Sequence, residues 1–232
     1  MPGPETLTID TTHPVAGKAV SVVTNVARPT LTVYAPTQNN TGAAVVVFPG
    51  GGFQILAMDL EGTEICDWLT SAGVTCVLLK YRVPSKPYDW RCKCRPDNLE
   101  VPVPALQDAQ RALRLVRSRA AEWHIDPHRI GVIGFSAGGF LVAEISTQFK
   151  RQVYAPIDAA DRESSRPDFA VAVYPGHLVT KDDALNPNVP VTRETPPTFL
   201  VQAEDDPVDA VEESLVYYAA LKKAGVPAEM HL

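Results

Sequence analysis

The sequence predicts an α/β fold: a three-layer sandwich with a mostly parallel central sheet and an antiparallel N-terminal hairpin. Three observations carry this expectation. Short continuous apolar runs, such as Val45, Val46, Val47 and Phe48 within AAVVVFPGGGF, have the pattern of strands covered on both faces. These runs alternate with longer segments of helical period. Glycine, proline or acidic residues follow most of the runs, as at strand ends that open into turns.

The elements follow in order. Residues 19–35 give two β-like runs, AVSVVTNVA and TLTVYAP, with the alternation of a half-buried hairpin. The first buried strand lies within residues 43–53. Residues 61–72 read as a helix closed by Gly73, and VTCVLLKY (74–81) as a second buried strand. A Pro-rich loop over residues 84–104 holds five prolines and Trp90. Residues 105–122 form a strong helix, Asp126-Pro127 breaks the chain, and RIGVIGFS (129–136) is a third buried strand. A helix is expected over 137–149 and a polar, irregular stretch over 150–167. DFAVAVYPG (168–176) and PTFLVQAED (197–205) are the fourth and fifth strands. A helix over 209–224, capped by Gly225, leads to a sixth, PAEMHL. No repeat or linker divides the 232 residues, so one domain is expected.

Composition narrows the function classes. A hydrophobic content of 45% and a charged content of 21% suit a globular core. A net charge of −6 argues against nucleic acid, which needs clustered Lys and Arg. Arg111, Arg114, Arg117 and Arg119 are expected to form the solvated side of an amphipathic helix. No apolar run approaches the ~20 residues of a membrane-spanning helix, and MPGPETLTID carries no visible signal peptide. A cytoplasmic location is therefore the default, unless a signal was removed. Cys66 and Cys76 read as buried small hydrophobes, and Cys92 and Cys94 as loop cysteines too sparse for a zinc site. No metal or cofactor is expected.

In parallel sheets, sites form at the carboxyl ends of the strands. Pro49-Gly50-Gly51-Gly52, Ser136, Pro175-Gly176-His177 and Glu204-Asp205-Asp206-Pro207-Val208 all follow strands. GFSAG, residues 134–138, places Ser136 between strand and helix in a G-x-S-x-G pattern. Ser136 is either a small residue in a tight turn or a nucleophile on a strained elbow. The convergence of glycine loop and acid on the same edge favours the nucleophile. The N–H groups of Gly51, Gly52 and Ala137 would then form an oxyanion hole.

The stretches VVVFPGGGF, LLKYRVP, LQDAQRALRLVRSRAAEWHIDPHRIGVIGFSAGG, RPDFAVAVYPG and PTFLVQAEDDPV…SLVYYAALKKAGVPAEMHL carry a resemblance. The chain resembles the α/β-hydrolase superfamily, and within it the carboxylesterases of the acetylxylan-esterase and feruloyl-esterase-like branch. One departure is Pro49, where neighbouring branches carry the His of an H-G-G-G motif. The resemblance implies hydrolysis of small acyl esters, such as acetyl groups on xylan or other sugars, through an acyl-enzyme on Ser136. It implies the chain order Ser…Asp…His. Asp205 and Asp206 compete for the acid, and Asp206-Pro207-Val208 fits the family turn better. Glu204 and Asp205 then become solvated loop acids.

The base is the gap. It should follow Asp206 by roughly 30 residues, the length of a helix-linked strand and a loop. The interval from Asp206 to Leu232 is shorter, and its one histidine, His231, sits inside PAEMHL. By resemblance the chain stops within its last strand, before a His-bearing loop and a final helix, so the base is expected beyond Leu232. His177 lies at the correct edge but breaks the family order, which makes it a weak substitute. A chain ending there would expose apolar surface and could form a homo-oligomer. The rival reading is a catalytically silent or weakened binding or assembly protein on the same fold.

Overall fold

The computed structural model describes residues 4–15, 17–83 and 103–232. Trp90, Cys92, Cys94 and nearly all of the expected Pro-rich loop lie outside the described residues.

Seven strands form the main sheet. They are β3 (Thr30–Tyr34), β4 (Ala44–Phe48), β6 (Thr75–Lys80), β7 (Ile130–Phe135), β8 (Ala170–Val173), β9 (Thr198–Val201) and β10 (Ala228–His231). Their spatial order is β10-β9-β8-β7-β4-β6-β3. All neighbours are parallel except β3, which runs antiparallel to β6 with Val33 opposite Val77. Every residue of β4 and β7 is buried, which is why those segments are continuously apolar rather than alternating.

Helices cover both faces. α2 (Val103–Ser118), α3 (Ala137–Gln148) and α4 (Val211–Lys223) share one core with Val46, Phe48, Val132, Ala172 and Leu200. α1 (Glu64–Ser71) covers the opposite face, where Cys66 and Leu69 meet Val45, Val47, Leu78 and Ile133. Alternate residues of one strand therefore serve different layers, as the period-2 pleat requires.

The antiparallel N-terminal hairpin is present, but its strands differ from the expected pair. β2 (Lys18–Thr24) pairs with β1 (Thr6–Val15) and with the three-residue β5 (Ile55–Ala57) in a separate small sheet. β3, the other half of the expected hairpin, joins the edge of the main sheet instead. There Leu31 and Val33 pack against the larger core. Burial on that core outweighs pairing with the nearest strand in sequence.

Two further expectations change. The helix expected over 61–72 opens as a wide turn with π-type hydrogen bonding, Asp59–Thr63, before α1 begins. Arg111, Arg114 and Arg117 are not a solvated face. The stretch 150–167 folds over α2 through a short 3-10 turn at Ala159–Arg162. Arg111 binds Asp158 and Asp161 at 2.6 and 3.0 Å, and Arg117 binds Asp168 at 3.0 Å. Arg114 lies over the Tyr154 ring and Arg119 over Trp123. Local periodicity marked these arginines as polar; only the returning chain supplies their acids.

The cysteine expectation is corrected as well. Cys66 and Cys76 are fully buried, but a disulfide joins them and so staples α1 to β6.

Candidate active site

Ser136 sits between the last residue of β7 and the first of α3, with φ 48° and ψ −116°. A non-glycine residue in that region is strained and persists only when its surroundings over-determine it. The surroundings do so here. Ser136 N donates to Val173 O at 3.1 Å, and its carbonyl accepts from Phe140 N and Gly176 N. The flanking glycines are required by contact. A Cβ on Gly134 would lie 2.2 Å from Gly138 O, and one on Gly138 would lie 2.1 Å from Phe48 O. Helix α3 therefore starts hard against the ends of β7 and β4, with its positive dipole end at Ser136. Among the described residues the Ala137 N–H has no hydrogen-bond acceptor.

The glycine loop after β4 faces this elbow. The Tyr81 hydroxyl, fully buried, donates to Pro49 O at 2.6 Å. Gly50 N donates to Glu61 Oε2 at 2.7 Å, and its carbonyl accepts from Ala57 N. Gly51 (φ 130°) and Gly52 (φ 60°) adopt conformations that glycine alone takes without cost. Gln54 N and Ile55 N both donate to Gly51 O. The Gly51 and Gly52 N–H groups, like that of Ala137, have no acceptor among the described residues. Three backbone donors at two adjacent strand ends are thus unspent.

The acidic turn after β9 holds two carboxylates in different settings. Asp206 is half-buried and works as a turn cap: Oδ1 accepts from Val208 N and Asp209 N, and Oδ2 from Gln202 Nε2 at 3.3 Å. Asp209 is buried, and its Oδ2 accepts a 2.8 Å hydrogen bond from Ser136 Oγ. Its Oδ1 lies so close to Gly176 that a Cβ there would come within 2.4 Å. Sequence reasoning missed Asp209. Its only signal was an acid at the start of a helix, which is ordinary. Gln202 was also missed. Its amide donates to Asp206 and to Asp209 O, and its Oε1 accepts from Ser214 Oγ, tying the turn to α4.

A second acid lies beneath the loop. Besides Gly50, Glu61 accepts from the Tyr174 hydroxyl at 3.0 Å. Burial raises its carboxyl above the usual glutamate range, and Asp209 pushes the same way; the two hydrogen bonds pull back. Burial, then the Glu61 charge, raises the Tyr174 phenol, and the Tyr81 phenol is raised for the same reasons.

The histidines separate clearly. His177 is buried after β8, its ring stacked at 6.2 Å on Phe53 and edge-on at 6.0 Å to Phe140. His231 is exposed in β10, over the Phe199 ring and 2.6 Å from Glu229 Oε1. Glu204 and Asp205 are exposed, in keeping with loop acids. Among the described residues, no cluster of three or more His, Cys, Asp or Glu side chains could hold a metal ion.

Comparison with known proteins agrees with this architecture. Residues 98–232 match a family model described as alpha/beta hydrolase fold. An acetylxylan esterase of Xylanibacter ruminicola is 30% identical over 212 residues, covering 81% of this chain and 39% of that protein. An ethyl acetate hydrolase of Pseudomonas putida is 29% identical over 160 residues, covering 68% of this chain and 42% of that protein. This chain thus spans less than half the length of either relative. Among solved structures, an acetyl ester-xyloside bifunctional hydrolase of Caldicellulosiruptor lactoaceticus superposes with a TM-score of 0.73. It is 35% identical, with 89% of this chain and 78% of that chain covered.

Proposed function

The chain belongs to the α/β-hydrolase fold family, and on that premise we propose that it carries the centre of a serine carboxylesterase. The observation that carries the proposal is the backbone of Ser136, held at φ 48° between β7 and the N-terminus of α3. Ser136 Oγ attacks the ester carbonyl carbon while an imidazole takes its proton. The carbonyl oxygen becomes an oxyanion bound by the N–H groups of Gly51, Gly52 and Ala137. The imidazolium returns its proton to the leaving alkoxide, and water then hydrolyses the acyl-enzyme. Asp206 is the acid that orients the imidazole, in keeping with its fixed turn and partly exposed carboxylate.

The imidazole in this proposal comes from a segment following Leu232. Topology supports it: β10 runs parallel to β9 with His231 opposite Val201, so chain leaving β10 emerges beside Gln202 and the acidic turn. His177 is the weaker, in-chain alternative. The substrate class we propose is small acyl esters, including acetyl groups on xylan or other sugars. The names of the xylan- and acetate-ester relatives support it.

The test is p-nitrophenyl acetate turnover by the protein at its full natural length. Ser136→Ala should abolish turnover with the fold intact, and His177→Ala should leave most of it. Turnover that survives Ser136→Ala would overturn the proposal. A second reading, a catalytically silent or weakened binding or assembly protein, draws on the direct Ser136–Asp209 contact. A folded full-length protein without turnover would favour it.

A further inference from the structure

We propose that Glu61 is a positioning residue for the oxyanion loop: it ties the Gly50 peptide to Tyr174, so that the next two N–H groups stay aimed at the reacting carbonyl. The inference rests on the serine-esterase reading and deepens it.

The geometry is a bridge between strand ends. Gly50 leaves β4, Tyr174 leaves β8 and Ser136 leaves β7, which lies between them. Glu61 Oε2 accepts from Gly50 N at 2.7 Å and Oε1 accepts from the Tyr174 hydroxyl at 3.0 Å. The Gly50 peptide is pressed onto the nucleophile: a Cβ there would lie 2.6 Å from Phe135 O and 3.2 Å from Ser136 Cβ. Tyr81 holds Pro49 O and Ala57 N holds Gly50 O, so the polar groups around Gly50 are committed. Beyond it, the peptides that carry the Gly51 and Gly52 N–H groups are held through Gly50 O and Gly51 O by the backbone of residues 54–57, so where those N–H groups aim depends on where Gly50 itself sits. A loop that must present N–H groups needs its base clamped, because a displacement of about 1 Å at a reacting centre can cost about a hundredfold in rate.

A carboxylate suits this role better than an amide. Glu61 accepts from both donors in charge-assisted bonds, whereas a Gln side chain keeps both contacts only by reversing the Tyr174 bond and offers neutral, weaker ones. Glu61 is itself placed by the π-type turn, where Asp59 Oδ2 accepts from Ser21 N of β2 at 2.7 Å. The small N-terminal sheet therefore supports the active-site loop. The ionisable groups facing Glu61 are Tyr174, Tyr81 and Asp209.

Two measurements on the protein at its full natural length test this. In steady-state turnover of p-nitrophenyl acetate, Glu61→Gln should lower kcat about ten- to a hundredfold with KM within about twofold. Tyr174→Phe should lower it less, and Glu64→Gln, an exposed acid in the same segment, should not change it. In amide NMR, the Gly50 proton should resonate downfield and move upfield as pH falls through a titration above the usual glutamate range. That titration should vanish in Glu61→Gln, with the Gly51 and Gly52 signals displaced. Unchanged kcat in Glu61→Gln, or a Gly50 signal indifferent to the variant, would overturn the inference. Turnover that survives Ser136→Ala would instead sink the esterase reading and leave the NMR result to decide the Glu61 bridge. If Glu61→Gln fails to fold, Tyr174→Phe decides: unchanged kcat and unchanged Gly50 titration would overturn the bridge.

Discussion

Ser136 Oγ donates its hydrogen bond to Asp209 Oδ2 at 2.8 Å, with no imidazole between them. A carboxylate in direct contact with the hydroxyl occupies the space that a base would need. In the esterase reading Asp209 must turn aside when the imidazole arrives, and Asp206 then orients it. Asp206→Asn is expected to lower kcat by about 10³–10⁴, as loss of an orienting acid does elsewhere. Asp209→Ala should change kcat by less than about tenfold, since the hydroxyl passes to the imidazole. Parallel steady-state kinetics of both variants check this. The opposite order would assign the orienting role to Asp209.

Gly138→Ala tests the elbow. Its new methyl group would meet Phe48 O at 2.1 Å and Pro49 O at 2.9 Å, both backbone atoms with little room to move. Overpacking of this kind costs about 1–3 kcal/mol. It would also push α3 away from β4, and with it the Ala137 donor from the glycine loop. Chemical denaturation should show the stability loss. Turnover should fall further than the loss of folded protein explains.

Glu144 gives a pH signature remote from the reacting atoms. It is buried in α3; Oε1 accepts from Gln148 Nε2 at 3.2 Å, and Oε2 has no hydrogen-bond partner among the described residues. Burial pushes its carboxyl up to about 8, offset only in part by Arg151 and Gln148. The folded state therefore holds the proton more tightly than the unfolded chain. The stability linked to this group is complete below about pH 4.5 and is lost as pH rises towards about 8. Glu144→Gln should raise the melting temperature at pH 8.5, by a gain of up to roughly 5 kcal/mol, and leave it nearly unchanged at about pH 4. Thermal melts at the two pH values check this.

The Cys66–Cys76 disulfide closes a short loop, with a sequence separation of 10, between α1 and β6. Such a link should contribute about 2–3 kcal/mol, chiefly by restricting the unfolded chain. A reductant should lower the melting temperature of the native protein. It should have no effect on a Cys66→Ala, Cys76→Ala double variant, which should melt at the lower value from the start.

Much of the candidate site was legible in the sequence because its parts are local. Strained serine, small neighbours and a following helix all fall within residues 130–148, so the elbow could be read from spacing alone. The glycine loop was legible for the same reason. Asp209 and Glu61 were not, because each acts on a residue far away in sequence: Asp209 on Ser136, Glu61 on Gly50 and Tyr174. An acid in a turn looks the same whether its carboxylate faces solvent or a distant hydroxyl. The arginines of α2 erred in the other direction, since the acids that bury them arrive only with residues 158–168.

The sequence by itself determined the layered α/β architecture and the edge of the sheet at which the candidate site assembles. Apolar runs bury wherever they are placed, and strand ends carry their turns with them. Only the tertiary structure decided that β3 leaves β2 for β6, that Cys66 meets Cys76, and that Asp209 reaches Ser136. Each of those is a choice among chemically equivalent partners. It is settled by which surface the packed core brings within hydrogen-bonding or bonding distance, a long-range quantity that no local pattern encodes.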